Sequence, residues 1–469
     1  MSTTPTVNTS ESHAIELDRL DPLRSCRELF SVPLVRDVVE GFSGPGGDAA
    51  CVYWCGNSLG LMPKATPAAL AEDLEAWGRL GVEGHFHAKH PWFPAHEFVR
   101  DTAARLVGAS PHEVVVMNSL TANLHLMMAS FYRPTSERFK IVIEDTAFPS
   151  DSYAVASQAA LHGFDPSVAV VRLKPRAGEE TLLTEDVLAT IAEHGKSIAL
   201  VMIGGVNYFT GQLMEMGRIT EAGHRVGAIV GWDLAHAAGN VPLSLHDWDA
   251  DFACWCSYKY LNSGPGAIAG CFVHERHARN TAGFGEAGFL PRLAGWWGND
   301  PATRFKMGPD FVPAPSADAW SLSNPPIMAL TPVRVSLEIF DRVGMGALRT
   351  KSEQMAVYLR GLVEDVAGQV GNPPHAVAGQ AGNLPHAVQF ITPREPSARG
   401  CQLSIAVRGG GVGGPRALHK ALSAAGVVSD FREPNVVRVA PVPLYNTFHD
   451  CWRFASALRR ALETSGGGR

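Results

Sequence analysis

The segment FACWCSYKYLN, residues 252–262, places a single lysine, Lys259, between two tyrosines and directly after an apolar run. Lysine is rarely buried without a partner, so a lysine at the end of a strand-like run needs an explanation. It can extend its ammonium group to solvent while its methylene groups stay covered. Alternatively, an amine at this place can form a Schiff base with a carbonyl compound.

Two other segments supply groups that such chemistry requires. GWDLAHAAGN places Asp233 at the end of a second apolar run, and NSLTAN places Ser119 and Thr121 between a strand-like run and a helical one. Each has an ordinary explanation, since Asp, Ser and Thr often cap helices. Pyridoxal 5'-phosphate needs a lysine for its aldehyde, an acid for its pyridine nitrogen and an anion site for its phosphate. The combination with Lys259 therefore favours a site for this cofactor.

The elements around these residues alternate between helical and strand-like patterns from about residue 66 to 330. TPAALAEDLEAWGRL and TANLHLMMASFY have helical spacing, whereas FKIVIED, SIALVMIGG and GAIVGWD are short apolar runs. This alternation predicts an α/β fold with a mostly parallel central sheet covered on both faces. Ligands bind at the carboxyl ends of the strands of such sheets, which is where Asp233 and Lys259 fall.

The remainder of the chain predicts a second, smaller α+β domain. We expect a loose tail over residues 1–14, a large domain over 63–330 and a small domain formed by 15–62 and 331–469. The stretch VGNPPHAVAGQAGNLPHAV and the run RGGGVGG (408–414) are typical of surface loops.

Charge and hydropathy argue against several classes of function. The chain has 469 residues, a formal net charge of -6 and no basic stripe, so nucleic acid is not an expected partner. Its apolar runs are shorter than the ~20 residues that a membrane-spanning helix needs. The first residues, MSTTPTVNTSESHA, lack the pattern of a signal peptide, which indicates a cytoplasmic protein.

The cysteines and histidines do not predict a metal site. The eight cysteines form no CxxC pair, and we expect them to be reduced and mostly buried. The cluster HFHAKH lacks thiolate partners and metalloprotease spacing, so we expect no metal there.

Longer motifs give the chain a specific resemblance. YWCGNSLGLMPK, NSLTANLHLMMASFY, AFPSDSYAVASQ, GWDLAHAAGN, DFACWCSYKYLN, GWWGND, TRFKM, SNPPI and RVAPVPLYN occur in this order. With them the chain resembles the kynureninase family over about residues 20–460, and the animal and fungal form more than the short bacterial one. The resemblance implies pyridoxal-phosphate fold type I, the aspartate aminotransferase-like fold.

The resemblance also implies roles for individual residues. Lys259 would be the Schiff-base lysine and Asp233 the partner of the pyridine nitrogen. Tyr258 would carry protons, and its hydroxyl would also contact the cofactor phosphate. Other cofactor contacts would come from Leu120, Thr121, Phe148, Asp151, Gly204, His236, Trp296 and Asn324, with Trp296 and Asn324 reaching in from a second subunit. Substrate contacts would come from Ser58, His85, Asn324 and Arg438, with Arg438 clamping the α-carboxylate. The family often has serine at the position of Gly204.

The implied activity is hydrolysis of the Cβ–Cγ bond of kynurenine or 3-hydroxykynurenine, giving an anthranilate and alanine in tryptophan degradation, a route toward NAD. A site with a bond for the ring hydroxyl would favour 3-hydroxykynurenine. The family resemblance also implies a homodimer with shared active sites. The alternatives are another enzyme of the same fold, such as a cysteine desulfurase or an aminotransferase, and a relative that only binds its ligand.

Overall fold

The structure, a computed structural model, describes residues 7–42, 46–371, 388–407 and 414–466. Residues 1–6 of the expected tail lie outside these ranges, as do residues 408–413 of the run RGGGVGG. Nearly all of the segment with the two PHAV sequences also lies outside them.

The described residues form the following strands: β1 (Phe30–Ser31), β2 (Val52–Tyr53), β3 (Met62–Pro63), β4 (Val114–Val116), β5 (Lys140–Glu144), β6 (Val170–Leu173), β7 (Ile198–Gly204), β8 (Ile229–Asp233), β9 (Phe252–Trp255), β10 (Gly270–Val273), β11 (Val388–Phe390), β12 (Leu403–Val407), β13 (Val427–Val428), β14 (Asp430–Arg432) and β15 (Val436–Val439). They form the following α-helices: α1 (Glu11–Leu20), α2 (Val35–Val38), α3 (Thr66–Leu80), α4 (Gly84–His87), α5 (Glu97–Val107), α6 (Leu120–Phe131), α7 (Pro149–Leu161), α8 (Pro166–Ala169), α9 (Thr184–His194), α10 (Met216–Arg225), α11 (Glu275–Ala278), α12 (Ile327–Val343), α13 (Met345–Gly371), α14 (Pro415–Ala424) and α15 (Phe448–Gly466).

The chain divides into two units. The larger is Ala65–Tyr208 with Leu213–Met345, and the smaller is Met1–Lys64 with Phe209–Gln212 and Gly346–Arg469. The domain boundary that the sequence predicted near residue 330 therefore lies after α12, at Met345. Helix α12 belongs to the larger unit because it packs on α3 and α5 there, and Thr331 Oγ1 donates a hydrogen bond to Asp73 Oδ2 at 2.5 Å.

A seven-stranded sheet forms the centre of the larger unit, in the order β4-β10-β9-β8-β7-β5-β6. The pairs from β9 through β8, β7 and β5 to β6 are parallel, which confirms the mostly parallel sheet. Strand β10 runs antiparallel to both of its neighbours. Its short apolar sequence, GCFV, carries no signal for strand direction.

The smaller unit has an antiparallel sheet in the order β11-β12-β15-β14, and β2 pairs with β13 in parallel. Helix α1 begins at Glu11, so the last residues of the expected tail are helical. This helix is held by Asp18, whose carboxylate accepts hydrogen bonds from Phe448 N at 2.6 Å and His449 N at 3.0 Å at the start of α15. These orphan N–H groups of α15 thereby gain an acceptor.

The structure also bears on membrane crossing and on the thiols. No helix among the described residues is both long and apolar enough to cross a lipid bilayer. The eight cysteines are free, and all except the half-buried Cys55 are buried, as the sequence predicted. Cys254 and Cys271 lie opposite each other on β9 and β10 with their sulfur atoms 3.7 Å apart.

Candidate active site

Three strands deliver functional residues to the carboxyl-terminal edge of the sheet in the larger unit. Gly204 at the end of β7 pairs with Asp233 at the end of β8, and Asp233 pairs with Cys254 of β9. The chain leaves β9 after Trp255 and reaches Lys259 four residues later. The regular parallel register therefore places the aspartate and the lysine at one edge, as the sequence predicted.

Lys259 lies among aromatic and imidazole groups. Its Nζ atom is 3.0 Å from His236 Nε2, 5.8 Å from the centre of the Phe148 ring and 6.0 Å from that of the Tyr258 ring. The side chain is only half-buried, so a small molecule can reach the amine. Burial raises the pKa of the Tyr258 hydroxyl, which keeps the phenol protonated at neutral pH.

Asp233 is one of three buried carboxyl groups at this edge. Its Oδ1 atom accepts a hydrogen bond from Ala235 N at 2.6 Å. Burial, followed by the negative charge of Asp233, raises the pKa of Asp151 well above its usual value. Burial also raises the pKa of Glu144 to about 7, with Asp233 again contributing. The three groups thus avoid carrying three negative charges, and a cation beside Asp233 would be stabilised.

Glu144 was not predicted, although its position at the end of the apolar run FKIVIED is the same signal that identified Asp233. Its carboxylate accepts the Gly204 N–H through Oε1 at 3.1 Å and Oε2 at 3.2 Å. A Cβ atom at residue 204 would lie 2.8 Å from Glu144 Oε1. The glycine at this position is therefore matched to the buried carboxyl group next to it.

Tyr208 is a second residue that sequence reasoning missed. Its ring packs edge-on against Phe148, with centres 5.2 Å apart, and lies 6.3 Å from the ring of His236. Tyr208 lies four residues after the end of β7, the spacing that also separates Lys259 from the end of β9, and this signal in the sequence was overlooked. Together Tyr208 and Phe148 form an aromatic wall beside the Lys259 amine.

The predicted phosphate site lies at the start of α6. Asn118 has φ 50°, Ser119 is extended, and the Ser119 side chain makes no capping hydrogen bond. The first N–H groups of this 12-residue helix are therefore left for another acceptor. Asn123 fixes the turn, donating from Nδ2 to Met117 O at 2.9 Å and accepting from Asn118 Nδ2 at 3.0 Å.

The register relates this helix start to the lysine segment. Gly270 of β10 pairs with Val116 on one side and with Trp255 on the other. The ends of β4 and β9 are therefore two strand spacings apart, roughly 10 Å. Leu120 and Thr121 begin α6 shortly after Val116, the last residue of β4. The predicted anion site and Lys259 therefore lie at the same edge of the sheet.

The chemistry of these groups fits pyridoxal phosphate. Asp233 offers a carboxylate for a pyridinium nitrogen, the start of α6 offers N–H groups for a phosphate, and Lys259 offers an amine for an aldehyde. In addition, Asp151 Oδ1 is buried and has no hydrogen-bond partner among the described residues. A polar ligand at this edge would give it one.

Three other predicted residues lie in the larger unit at its surface. Trp296 is 43% exposed and donates from its indole nitrogen to Arg304 O at 3.0 Å. Asn324 is exposed, and His85 is half-buried with Nδ1 3.0 Å from Val82 O. Within the part of the chain that the structure describes, no hydrogen bond or ring contact joins these residues to Lys259.

Ser58 and Arg438 belong to the smaller unit. Ser58 is exposed in the turn after β2. Arg438 lies on β15 with 1% of its surface exposed, and its Nη2 atom donates to the carboxylate of Asp430 on the neighbouring strand. Burial with one carboxylate partner holds this guanidinium in a fixed orientation.

Comparison with known proteins places the chain among enzymes that use this cofactor. A family model described as aminotransferase class-V matches residues 53–313, and one described as kynureninase C-terminal domain matches residues 375–458. A cysteine desulfurase structure from Thermococcus onnurineus shares the fold, with a TM-score of 0.67 and 16% identity over 93% of this chain and 100% of that one. At this identity the likeness concerns the fold alone.

The sequence relatives are more specific. A kynureninase from Salinispora tropica is 55% identical over 97% of both chains, and one from Myxococcus xanthus is 52% identical over 96% of both. These relatives are bacterial and match over nearly their full length. The chain therefore belongs to the kynureninase family of pyridoxal-phosphate-dependent enzymes.

Proposed function

We propose that this enzyme hydrolyses the Cβ–Cγ bond of 3-hydroxykynurenine in preference to kynurenine, releasing 3-hydroxyanthranilate or anthranilate together with alanine. The observation that carries the reaction is the identity of 55% to a kynureninase over nearly the full chain. In the balanced reaction, the oxygen of one water joins the ring carbonyl carbon to form a carboxylate. The cleaved Cβ takes up a proton and becomes the methyl group of alanine.

We assign the cofactor contacts to residues of the larger unit. Pyridoxal phosphate, when bound, supplies an electron-withdrawing ring that can accept negative charge from the substrate carbon. Asp233 would hold a proton at the ring nitrogen, with Asp151 and His236 beside it and Phe148 against the ring face. The phosphate would be bound by Leu120 and Thr121 at the start of α6, and Gly204 would leave room next to Glu144.

We assign the proton transfers to Lys259 and Tyr258. The Lys259 amine would carry a proton from the substrate Cα, and His236 Nε2, 3.0 Å away, can accept a hydrogen bond from it. The half-buried Tyr258 phenol, kept protonated, can supply a proton to Cβ after the bond breaks. Both groups lie on one segment after β9, so their spacing is fixed by the backbone.

Four residues are assigned to substrate recognition. We assign the α-carboxylate to Arg438 and the aromatic end to Ser58, His85 and Asn324. With its Nδ1–H donating to the Val82 carbonyl, His85 Nε2 is an acceptor that suits a ring hydroxyl. A site built around such a bond discriminates against a substrate that lacks the hydroxyl.

The partner and location are also proposals. We infer a homodimer in which Trp296 and Asn324 complete the neighbouring site, supported by the exposure of Trp296, Phe305 and Met307 in one part of the larger unit. The free thiols suit a reducing compartment and support a cytoplasmic location. Sedimentation of the purified enzyme would test the first of these.

The proposed function is tested by incubating the purified holoenzyme with each kynurenine and identifying the products by chromatography and mass spectrometry. We expect equal amounts of alanine and the matching anthranilate, with a higher kcat/KM for the 3-hydroxy substrate. Lys259→Ala should abolish turnover and Lys196→Ala, at an exposed lysine, should not. Alanine formed without an anthranilate, or cysteine used as the better substrate, would contradict the proposal.

The hydroxyl preference has its own test. His85→Phe should lower kcat/KM for 3-hydroxykynurenine more than for kynurenine, because it removes the acceptor while leaving an aromatic ring. His87→Ala, at a neighbouring exposed histidine, is the matched control. An equal effect of His85→Phe on both substrates would show that this residue does not recognise the hydroxyl.

A further inference from the structure

A cluster of one glutamate and two histidines lies at the opposite edge of the sheet from Lys259. Glu113 directly precedes β4, His274 directly follows β10, and His246 lies in the connection between β8 and β9. Because β4 and β10 are antiparallel, with Val114 opposite Phe272, the start of one meets the end of the other. The strands, at about 3.3 Å per residue, separate this edge from the cofactor edge.

The three side chains converge closely enough to share an ion. One ligand atom from each, a carboxylate oxygen or an imidazole nitrogen, lies within 4.8 Å of the other two. His246 Nδ1 is 3.0 Å and His274 Nδ1 is 3.9 Å from Glu113 Oε1. Tetrahedral coordination at about 2.0–2.2 Å puts ligand atoms roughly 3.3–3.6 Å apart. Closing the site around one ion requires small side-chain rotations, and His274 Nδ1 would exchange its hydrogen bond from Arg276 N, at 3.3 Å, for the ion.

The carboxylate is oriented by its own hydrogen bonds. Glu113 is fully buried, and it accepts from Ser110 N at 2.8 Å through Oε2 and from Glu275 N at 2.8 Å through Oε1. In metal sites, hydrogen-bond donors of this kind hold the coordinating side chains in their orientation. These hydrogen bonds also give Glu113 a structural role without metal, because they join the start of β4 to the start of α11. Only the two histidines therefore distinguish a metal site from a purely structural carboxylate.

The histidines suit a metal that enters from solvent. Their rings are parallel within 11° with centres 5.1 Å apart. The His274 side chain is 10% exposed and that of His246 is 37% exposed, which leaves an open side for water as a further ligand.

The surrounding charges favour a cation. The acidic groups that face the cluster are Asp247, Asp249, Asp251 and Glu275, and the basic ones are His112, Arg276 and Arg279. Arg276 is already paired with Asp249 and with Asp251, and Arg279 with Glu275 at 3.1 Å. With Glu113 included, the carboxylates outnumber the guanidinium groups.

We propose that Glu113, His246 and His274 bind one divalent first-row transition metal ion per chain, with Zn²⁺ the best match to two imidazoles and a carboxylate. The ion holds the start of β4, the end of β10 and the connection before β9 together. Its role is structural and independent of turnover.

The test uses tag-free holoenzyme freed of metal with a chelator and titrated with ZnCl₂ by calorimetry, and with CoCl₂ by visible absorption. We expect one site per chain and a rise in Tm on zinc addition. His246→Ala and His274→Gln should each weaken binding by at least about ten-fold and remove most of the Tm rise. His224→Ala, at a histidine 2.9 Å from Asp251 on the same edge, is the matched control and should bind normally.

Two results would overturn the proposal. One is the absence of stoichiometric zinc binding by the unaltered holoenzyme. The other is binding that persists in the double variant His246→Ala/His274→Gln, which would assign the ion to other groups. Because His246 is partly exposed, His246→Ala alone should fold, and its visible cofactor absorbance verifies that the fold is intact.

Discussion

The two edges of the seven-stranded sheet both carry buried carboxyl groups, but these groups have different partners. At the amino-terminal edge, Asp251 accepts hydrogen bonds from His224, His277 and Arg276 at 2.7–2.9 Å. At the carboxyl-terminal edge, Asp151 and Glu144 have mainly each other and Asp233 as charged neighbours, with Lys259 a smaller influence on Asp151. Asp251 therefore has cationic and imidazole partners within the chain, whereas Asp151 and Glu144 have mainly other carboxyl groups beside them.

The pKa shifts follow from that difference. Burial by itself would raise the pKa of Asp251, but the hydrogen bonds from His224 and His277 and the charge of Arg276 hold it well below its usual value. At the other edge, burial and the charge of Asp233 raise the pKa of both Asp151 and Glu144, and the charge of Lys259 offsets only a small part of the shift of Asp151. Buried carboxyl groups on one scaffold therefore have opposite pKa shifts, depending on which charged groups surround them.

Removing the charge at the carboxyl-terminal edge should have the largest effect. Asp233→Asn leaves the site without its carboxylate, and kcat should fall by at least about 10³-fold, equal to ~4 kcal/mol. Steady-state kinetics at saturating pyridoxal phosphate measure this, and urea unfolding should show a much smaller change. Activity close to that of the unaltered enzyme would remove Asp233 from the assigned role.

The corresponding change at the amino-terminal edge should act on stability. Asp251→Asn leaves His224, His277 and Arg276 without their buried carboxylate, which should cost about 3–4 kcal/mol of unfolding free energy. Urea denaturation measures it, with the exposed Asp247→Asn as the control. The kcat of the folded variant should be unchanged. A loss of turnover with intact stability would mean that the two edges are not distinct in function.

The pH dependence of stability should differ between the edges. The pKa of Glu144 is raised from 4.5 to about 7, so the folded state binds more protons than the unfolded state in this interval. The unfolding free energy of cofactor-free protein should therefore fall as pH rises from 4.5 to 7, by up to ~3 kcal/mol from this group. Glu144→Gln cannot ionise and should remove that slope.

The control for this experiment is Glu75→Gln, at an exposed glutamate of α3, which should leave the slope intact. Asp251 has the opposite sign, because its lowered pKa stabilises the fold at neutral pH and that stabilisation is lost in acid. An unaltered slope in Glu144→Gln would show that Glu144 is ionised at the same pH in both states.

The smallest effect concerns the fit between Gly204 and Glu144. Gly204→Ala puts a methyl group 2.8 Å from Glu144 Oε1, which should destabilise the fold by about 1–2 kcal/mol. Gly78→Ala, in α3 with no atom within 4 Å of the new methyl group, should instead be neutral or stabilising. Equal unfolding midpoints for Gly204→Ala and the unaltered protein would show that the carboxyl group moves aside freely.

The carboxyl-terminal edge could be predicted from the sequence because each of its residues ends or follows an apolar strand. That pattern identified Asp233, Lys259 and the start of α6, and the same pattern at Glu144 was overlooked. The amino-terminal cluster could not be found in this way. Glu113, His246 and His274 are far apart in the chain and meet only because β10 runs antiparallel to β4, a direction that the sequence of GCFV does not specify.

The smaller unit was predicted less well at its limits. The helical pattern of α12 is clear in the sequence, but its membership of the larger unit depends on packing against α3 and α5, including the bond from Thr331 to Asp73. The beginning of α1 was expected to be a tail because its composition is polar. Its contact with the start of α15 through Asp18 is a tertiary interaction that composition cannot reveal.

We expect the Lys259 amine to hold the cofactor beside Asp233. Reduction of the holoenzyme with sodium borohydride, followed by proteolysis and mass spectrometry of the peptides, tests it directly. We expect the phosphopyridoxyl group on the peptide that contains Lys259, and on no other lysine in stoichiometric amount. A modified lysine elsewhere in the chain, with Lys259 unmodified in active enzyme, would show that Lys259 does not hold the cofactor.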